Sequence, residues 1–186
     1  MVVQEVAAGL WRWTAPHPEW EPNEDWEEDV SCVYYEAPDT VVLFDPQLPP
    51  ERETFFAALD RDVERLGLPV VILLTASWHD RSSAEVAARY RARIGGVPSG
   101  IEELSFPEAE ESVFWLPEHA TLVAGDVLNG DGRGGFVVFG GDEETRTYLR
   151  TALPALLELP VERILVSHGE PVLENGRAAL EAALTA

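Results

Sequence analysis

Three short stretches of this chain set polar, metal-competent side chains directly after an apolar run. Thr75-Ala76-Ser77-Trp78-His79-Asp80-Arg81 follows Val70 to Leu74, Gly125-Asp126 follows Thr121 to Ala124, and Ser167-His168-Gly169-Glu170-Pro171 follows Ile164 to Val166. A weaker fourth, Asp45-Pro46, ends the run Val41 to Phe44. Carboxylates and imidazoles brought together do one of two things. They ligate a divalent cation and leave it an open position for water, or they pass protons as acid and base. In α/β proteins such groups collect beyond the carboxyl ends of strands. Singly, each of the four is a capping or turn residue; their succession in this order gives them weight.

Other motifs carry less. Gly130-Asp131-Gly132-Arg133-Gly134-Gly135 matches G-x-G-x-x-G, but Phe136-Val137-Val138-Phe139 follows, a strand pattern. The dinucleotide fingerprint needs a helix there, to set its N-terminus against phosphate, so the stretch reads as a flexible turn. There is no G-x-S-x-G nucleophile elbow. Cys32 is the only cysteine, which excludes an intrachain disulfide and a thiolate zinc cluster. Its apolar strand context reads as a buried core thiol. His17, in a Trp/Pro-rich loop, and His119, in a turn, read as surface residues.

The elements that must position these groups follow from periodicity. Val2 to Thr14 is strand-rich and suggests a hairpin edge; Ser31 to Glu36 and Val41 to Asp45 read as strands joined by the Pro38-Asp39 turn. Glu51 to Leu66 carries Phe55, Phe56, Leu59, Val63 and Leu66 at helical spacing, with Gly67 as its C-terminal cap. Pro69 to Thr75 reads as a strand buried on both faces, and Ser82 to Ile94 as a second helix capped by Ser82 or Ser83. Ser112 to Leu116, Thr121 to Leu128, Phe136 to Phe139 and Arg163 to Ser167 read as further strands. Glu143 to Leu159 reads as a helix that Pro154 kinks or splits, and Asn175 to Leu184 as a terminal helix. Pro16 to Asp29 holds three prolines, two tryptophans and seven acidic residues and reads as a long acidic surface loop. Strands come first, then helix and strand alternate, in two comparable halves with no linker. That order implies a single α/β domain over residues 1–186 with helices packed outside sheets.

The composition sets the class. At 186 residues and 46% hydrophobic, the chain is long and apolar enough for a full core. It holds 34 acidic residues against 13 basic ones, for a net charge of −21, and all the basic ones are Arg. Such a surface repels phosphate and anionic membrane, so neither nucleic acid nor membrane is an expected partner. Met1 to Leu10 includes Gln4 and Glu5 and lacks a basic signal-peptide region. The longest apolar run, Val70 to Leu74, is too short to span a bilayer. A cytoplasmic protein is expected.

Taken in order, the four segments resemble the metallo-β-lactamase superfamily over nearly the whole chain. Leu43-Phe44-Asp45-Pro46 is similar to the early family strand that ends in Asp. Leu74-Thr75 with Ser77 to Arg81 is similar to the strand leading into its His-x-His-x-Asp-His motif. Ala124-Gly125-Asp126 resembles its Gly-Asp segment, and Val166 to Pro171 its final Gly-His-Gly motif. The resemblance implies an αββα four-layer sandwich (α/β, α+β), two sheets packed face to face with helices outside.

It also implies a degenerate metal site. The matching puts Ala76, Trp78 and Arg81 where the motif has histidines, and His79 at a non-ligand position unless the loop shifts by one residue. The next family histidine is expected just before Ser112, where no His stands; Glu108 or Glu110 is the nearest candidate to face the site. Of the family's ligands Asp80, Asp126 and His168 remain, a set that suits one Zn, Mn or Fe ion. Arg81 opposes it, since guanidinium has no lone pair to give and stays charged; it is expected to supply fixed positive charge and to pair with Asp80 or Asp126. Trp78 is expected to fill the pocket floor, with Asp45 beside it.

These expectations leave three functions open. One is a non-catalytic or altered small-molecule-binding domain, with no cofactor. Another is a hydrolase with one metal held by Asp80, Asp126 and His168 and with His79 as proton shuttle. The third is a metal-free enzyme using His168 with Asp126 or Asp80. The acidic loop 16–29 is expected near the pocket mouth, where it favours neutral or cationic ligands.

Overall fold

The computed structural model describes residues 1–24 and 26–186; Asp25, within the acidic loop, lies outside the described residues. The chain divides into two compact units, Met1–Leu74 with Trp78–Gly100, and Thr75–Ser77 with Ile101–Ala186.

The first unit is built on a six-stranded sheet. Strands β1 (Val2–Ala7), β2 (Leu10–Pro16), β3 (Asp29–Ala37) and β4 (Thr40–Phe44) run antiparallel in sequence order; β5 (Val70–Leu73) and β6 (Arg93–Ile94) then add parallel to β4. The parallel joins require crossovers, which helices α1 (Arg52–Leu66) and α2 (Ser83–Tyr90) supply. Helix α1 forms where its apolar spacing predicts. It ends on Gly67, whose φ of +64° and N–H bond to the Val63 carbonyl close the last turn. All four residues of β5 are buried, as its unbroken apolar run requires. The unit's core gathers Trp13, Tyr34, Leu43, Leu59, Ile72 and Val86. Helix α2 stops short of the predicted end: Arg91 turns left-handed and Arg93–Ile94 pairs with β5 as an edge strand.

The second unit holds a four-stranded sheet in the order β12 (Arg163–Leu165), β9 (Thr121–Val123), β8 (Glu111–Leu116), β7 (Glu102–Phe106), with β12 parallel to β9 and the rest antiparallel. A separate hairpin pairs β10 (Leu128–Gly130) with β11 (Phe136–Val138). The glycine-rich stretch is the turn of that hairpin. Asp131 accepts from the N–H groups of Arg133 and Gly135, so the donors a phosphate would need are already taken. Helices α3 (Glu143–Ala152) and α4 (Gly176–Thr185) complete the unit. Pro154 splits the predicted long helix: α3 ends at Ala152 and a 3-10 stretch runs over Leu153–Glu158. The predicted strand from Thr121 to Leu128 breaks at Gly125-Asp126 into β9 and β10. The core here draws on Val113, Leu122, Leu149, Leu153, Ile164 and Leu180.

Candidate functional site

In the first unit the parallel pair β4 and β5 delivers the candidate residues. Asp45 leaves β4 at φ +47°, with its N–H on the Leu73 carbonyl at 3.1 Å. Asp tolerates this left-handed turn better than most residues. Its carboxylate Oδ2 lies 3.2 Å from His79 Nδ1, and both side chains are about 5% exposed or less. His79 belongs to the 3-10 turn Ser77–Asp80. Arg81 follows at φ +39° and donates from Nη1 to the carbonyls of Ser31 and Asp45, each at 3.1 Å, with Cys32 Sγ at 3.9 Å. The guanidinium thus ties the ends of β3 and β4 to the segment after β5. Its Nε, buried, meets no acceptor among the described residues.

Further contacts stiffen the same corner. Ser82 N–H bonds the Pro46 carbonyl at 3.0 Å, Ser82 Oγ accepts from Leu48 N–H at 3.0 Å, and Trp13 Nε1 donates to the Gln47 carbonyl at 2.8 Å. Cys32 is 1% exposed and accepts from Gln47 N–H. Burial pushes its thiol up to about 11, which makes it an inert core residue.

His17, at the base of the acidic loop, bonds through its backbone N–H to Glu28 O at 2.8 Å. Its imidazole is held below its ordinary pKa by burial and then by the Arg81 charge, with Glu19 opposing. The loop base at Pro16 and Asp29 lies two residues along β3 from Ser31, whose carbonyl Arg81 holds. Trp78 is 48% exposed, edge-on to His79; its indole reaches solvent instead of filling a floor. Asp80 is exposed. Arg81 turns Nη1 to main-chain carbonyls and not to the exposed Asp80.

In the second unit Asp126 and His168 come together. His168 Nε2 lies 3.6 Å from Asp126 Oδ1, with each side chain 13% exposed. That distance is an electrostatic contact, too long for a hydrogen bond. The backbone aligns them: Ser167 N–H bonds the Gly125 carbonyl and Gly130 N–H bonds the His168 carbonyl. Gly125 sits at φ +56°, and a Cβ there would lie 2.6 Å from Thr75 Oγ1 and 3.0 Å from Glu111 Oε2. Only glycine fits that position.

Glu111 is the residue that sequence reasoning missed. It is 6% exposed, its Oε2 accepts from Asp126 N–H at 2.9 Å, and it bridges Ala76 across the strand. Glu108 and Glu110 are exposed instead. The strand's parity carried the signal, since Glu111 shares a face with Val113 and Trp115. The run Val113 to Leu116 is buried on both faces, however, so alternation did not stand out in the sequence.

No protein-family model matches the chain, and no curated protein matches it in sequence. Solved structures do. A metallo-β-lactamase from Erythrobacter litoralis, with β-mercaptoethanol in its active site, aligns over 98% of this chain and 94% of its own, at 16% identity and a TM-score of 0.63. The metallo-β-lactamase IND-7 aligns over 100% of this chain and 98% of its own, at 15% identity and a TM-score of 0.60. A metallo-β-lactamase family protein from Thermus thermophilus aligns over 97% and 80%, at 17% identity and a TM-score of 0.54. The chain has the metallo-β-lactamase fold. No helix among the described residues is long and apolar enough to cross a membrane.

The side chains present do not fit the metal centre that fold implies. Ala76 offers no donor atom, Trp78 and Arg81 offer no lone pair, and Glu111 Oε2 already accepts from Asp126 N–H. Among the described residues no group of three or more His, Cys, Asp or Glu side chains is gathered so as to hold a metal ion.

Proposed function

We propose that this chain is a metallo-β-lactamase-fold domain that binds a small molecule and has given up the metal-centred hydrolysis of the fold. The observation that carries this reading is Arg81. A guanidinium stands where the resemblance calls for a ligand histidine, fixed through Nη1 on the carbonyls of Ser31 and Asp45. A permanent cation there opposes a metal ion and performs part of its structural work, bracing the segment after β5 to β3 and β4. The His79–Asp45 pair adds a second brace. The Nε–H of Arg81 is buried with no acceptor among the described residues, and the proposed ligand supplies a carbonyl to it when the corner opens to admit one. The acidic loop based at His17 disfavours anions, so the proposed ligand is neutral or cationic overall.

Metal analysis of protein purified without chelators tests this, together with lactone, thioester and phosphodiester hydrolysis by wild type and His168→Ala. The expected result is no stoichiometric metal and no turnover, with a neutral carbonyl compound raising the melting temperature of wild type but not of Arg81→Met.

The second reading is a residual single-metal hydrolase centred on Asp126 and His168, and the closeness of these two favours it. Stoichiometric transition metal with metal-dependent turnover lost in His168→Ala selects it and overturns the first. Metal-free turnover lost in the same variant assigns proton transfer to His168 with Asp126.

A further inference from the structure

The first unit holds a cavity that the candidate site does not use. In register, Val3 faces Trp13, Trp11 faces Tyr34, and Tyr34 faces Leu43, so these side chains share one face of the sheet. Helix α1 lies over that face, with Phe55 packed 5.2 Å from Trp13 and Leu59 in the same core. Between the helix and the β1–β2 end of the sheet lies a half-open cleft of about 320 Å³, walled by Trp11, Trp13, Tyr34, Leu43, Phe55 and Leu59. Ligand pockets run from about 300 to 1,000 Å³, so this cleft suits a small ligand.

The polar ends of two walls, Trp13 and Tyr34, are already engaged. Trp13 Nε1 donates to the Gln47 carbonyl, and Tyr34 Oη donates to Glu36. The aromatic faces are what remain for contact. At the mouth, Arg65 is bonded to Glu36 and lies near Asp62. Arg61 differs: its side chain is 72% exposed, and its one ion pair among the described residues is a loose 3.8 Å approach of Nε to Asp62. In a chain with 34 acidic residues and 13 arginines, a guanidinium with its N–H fork unspent at the lip of an apolar cleft is an uncommon arrangement. A planar carboxylate matches that fork in two parallel hydrogen bonds.

We propose that this cleft between β1–β4 and α1 is a second ligand site, taking a small amphiphile whose aromatic or aliphatic body lies against Trp11, Trp13 and Phe55 and whose carboxylate head meets Arg61. The proposal is independent of the reading given to Arg81 and His168.

A fluorescence titration with 1-anilinonaphthalene-8-sulfonate, an aromatic body with one anionic head, tests it, with octanoate and octan-1-ol as competitors. One saturable site per chain is expected, with octanoate displacing the probe at a concentration lower than octanol by about fivefold or more. Arg61→Gln should erase that preference. Ala58→Trp, which fills the cleft from the helix side, should abolish binding while circular dichroism stays native. Thr54→Trp repeats that block if Ala58→Trp does not fold. His168→Ala should leave probe binding unchanged, which separates this site from the other. Non-saturable binding, or binding untouched by a folded blocking variant, overturns the site. Equal displacement by octanol and octanoate, with no effect of Arg61→Gln, overturns the carboxylate head.

Discussion

Arg81 holds a left-handed backbone and donates from a single nitrogen to two main-chain carbonyls, those of Ser31 and Asp45. Removing it leaves both acceptors short of a donor in a packed corner, and a deprived buried polar group costs about 1–3 kcal/mol. Arg81→Ala is therefore expected to lower unfolding stability by about that amount, measured by urea denaturation. Arg81→Lys should recover only part, because the ammonium nitrogen sits one bond short of the Nη1 position that meets both carbonyls. An unchanged midpoint in Arg81→Ala would mean the guanidinium braces nothing. Cys32 makes a complementary case. With its thiol raised to about 11 by burial, the native protein should resist a disulfide reagent near neutral pH and react only on unfolding. The sign follows from linkage: the unfolded thiol ionises first, near its ordinary value, so stability falls as pH rises above about 9 toward 11. Cys32→Ala should flatten that alkaline limb in pH-dependent melting. A fast native reaction would contradict the burial argument.

At the scale of elements, the sequence was most legible where one physical cause dominates. Helix α1 follows from its apolar stripe and the Gly67 cap, and β5 from an apolar run too short for anything but a buried strand. The glycine-rich turn follows from the strand pattern after it. Harder to read were elements decided by partners distant in sequence. Arg93–Ile94 looks helical by continuity, yet pairs with Val71 and Ile72. Glu111 is indistinguishable by type from Glu108 and Glu110 until β8 fixes which face it takes. The His79–Asp45 pair joins residues 34 apart, beyond any local pattern. Helix α3 offers a direct test of local coding. Asp142 caps it by accepting from Thr145 N–H at 2.8 Å, and that bond holds its carboxyl below the ordinary value. The cap's contribution is thus present above the unfolded carboxyl pKa and is lost as pH falls through the lower folded value. Asp142→Ala should lower the melting temperature at neutral pH and narrow its gap from wild type in acid, while Asp142→Asn keeps most of the cap. A constant gap across pH would show that charge plays no part.

Over the whole molecule, 34 acidic residues face 13 arginines, a net charge of −21. Several arginines are spent in exposed pairs, including Arg52 with Glu85, Arg65 with Glu36 and Arg89 with Asp60. Two electrostatic effects then oppose each other when salt is added. Screening weakens those pairs, but exposed pairs contribute little to begin with. Screening also relieves repulsion among the excess carboxylates, which acts over the full surface and disfavours the compact state. The Debye length falls from about 30 Å at ~0.01 M salt to about 8 Å at ~0.15 M, so most of that relief arrives in this interval. The excess of acids should win, and the melting temperature should rise across the interval and then level off. Sodium chloride is the suitable salt, since sulfate would also strengthen apolar burial. A melting temperature that falls with salt would mean the exposed pairs outweigh the repulsion. The charge would then have to be read as locally paired throughout, and the argument that the surface turns anions away would lose its basis.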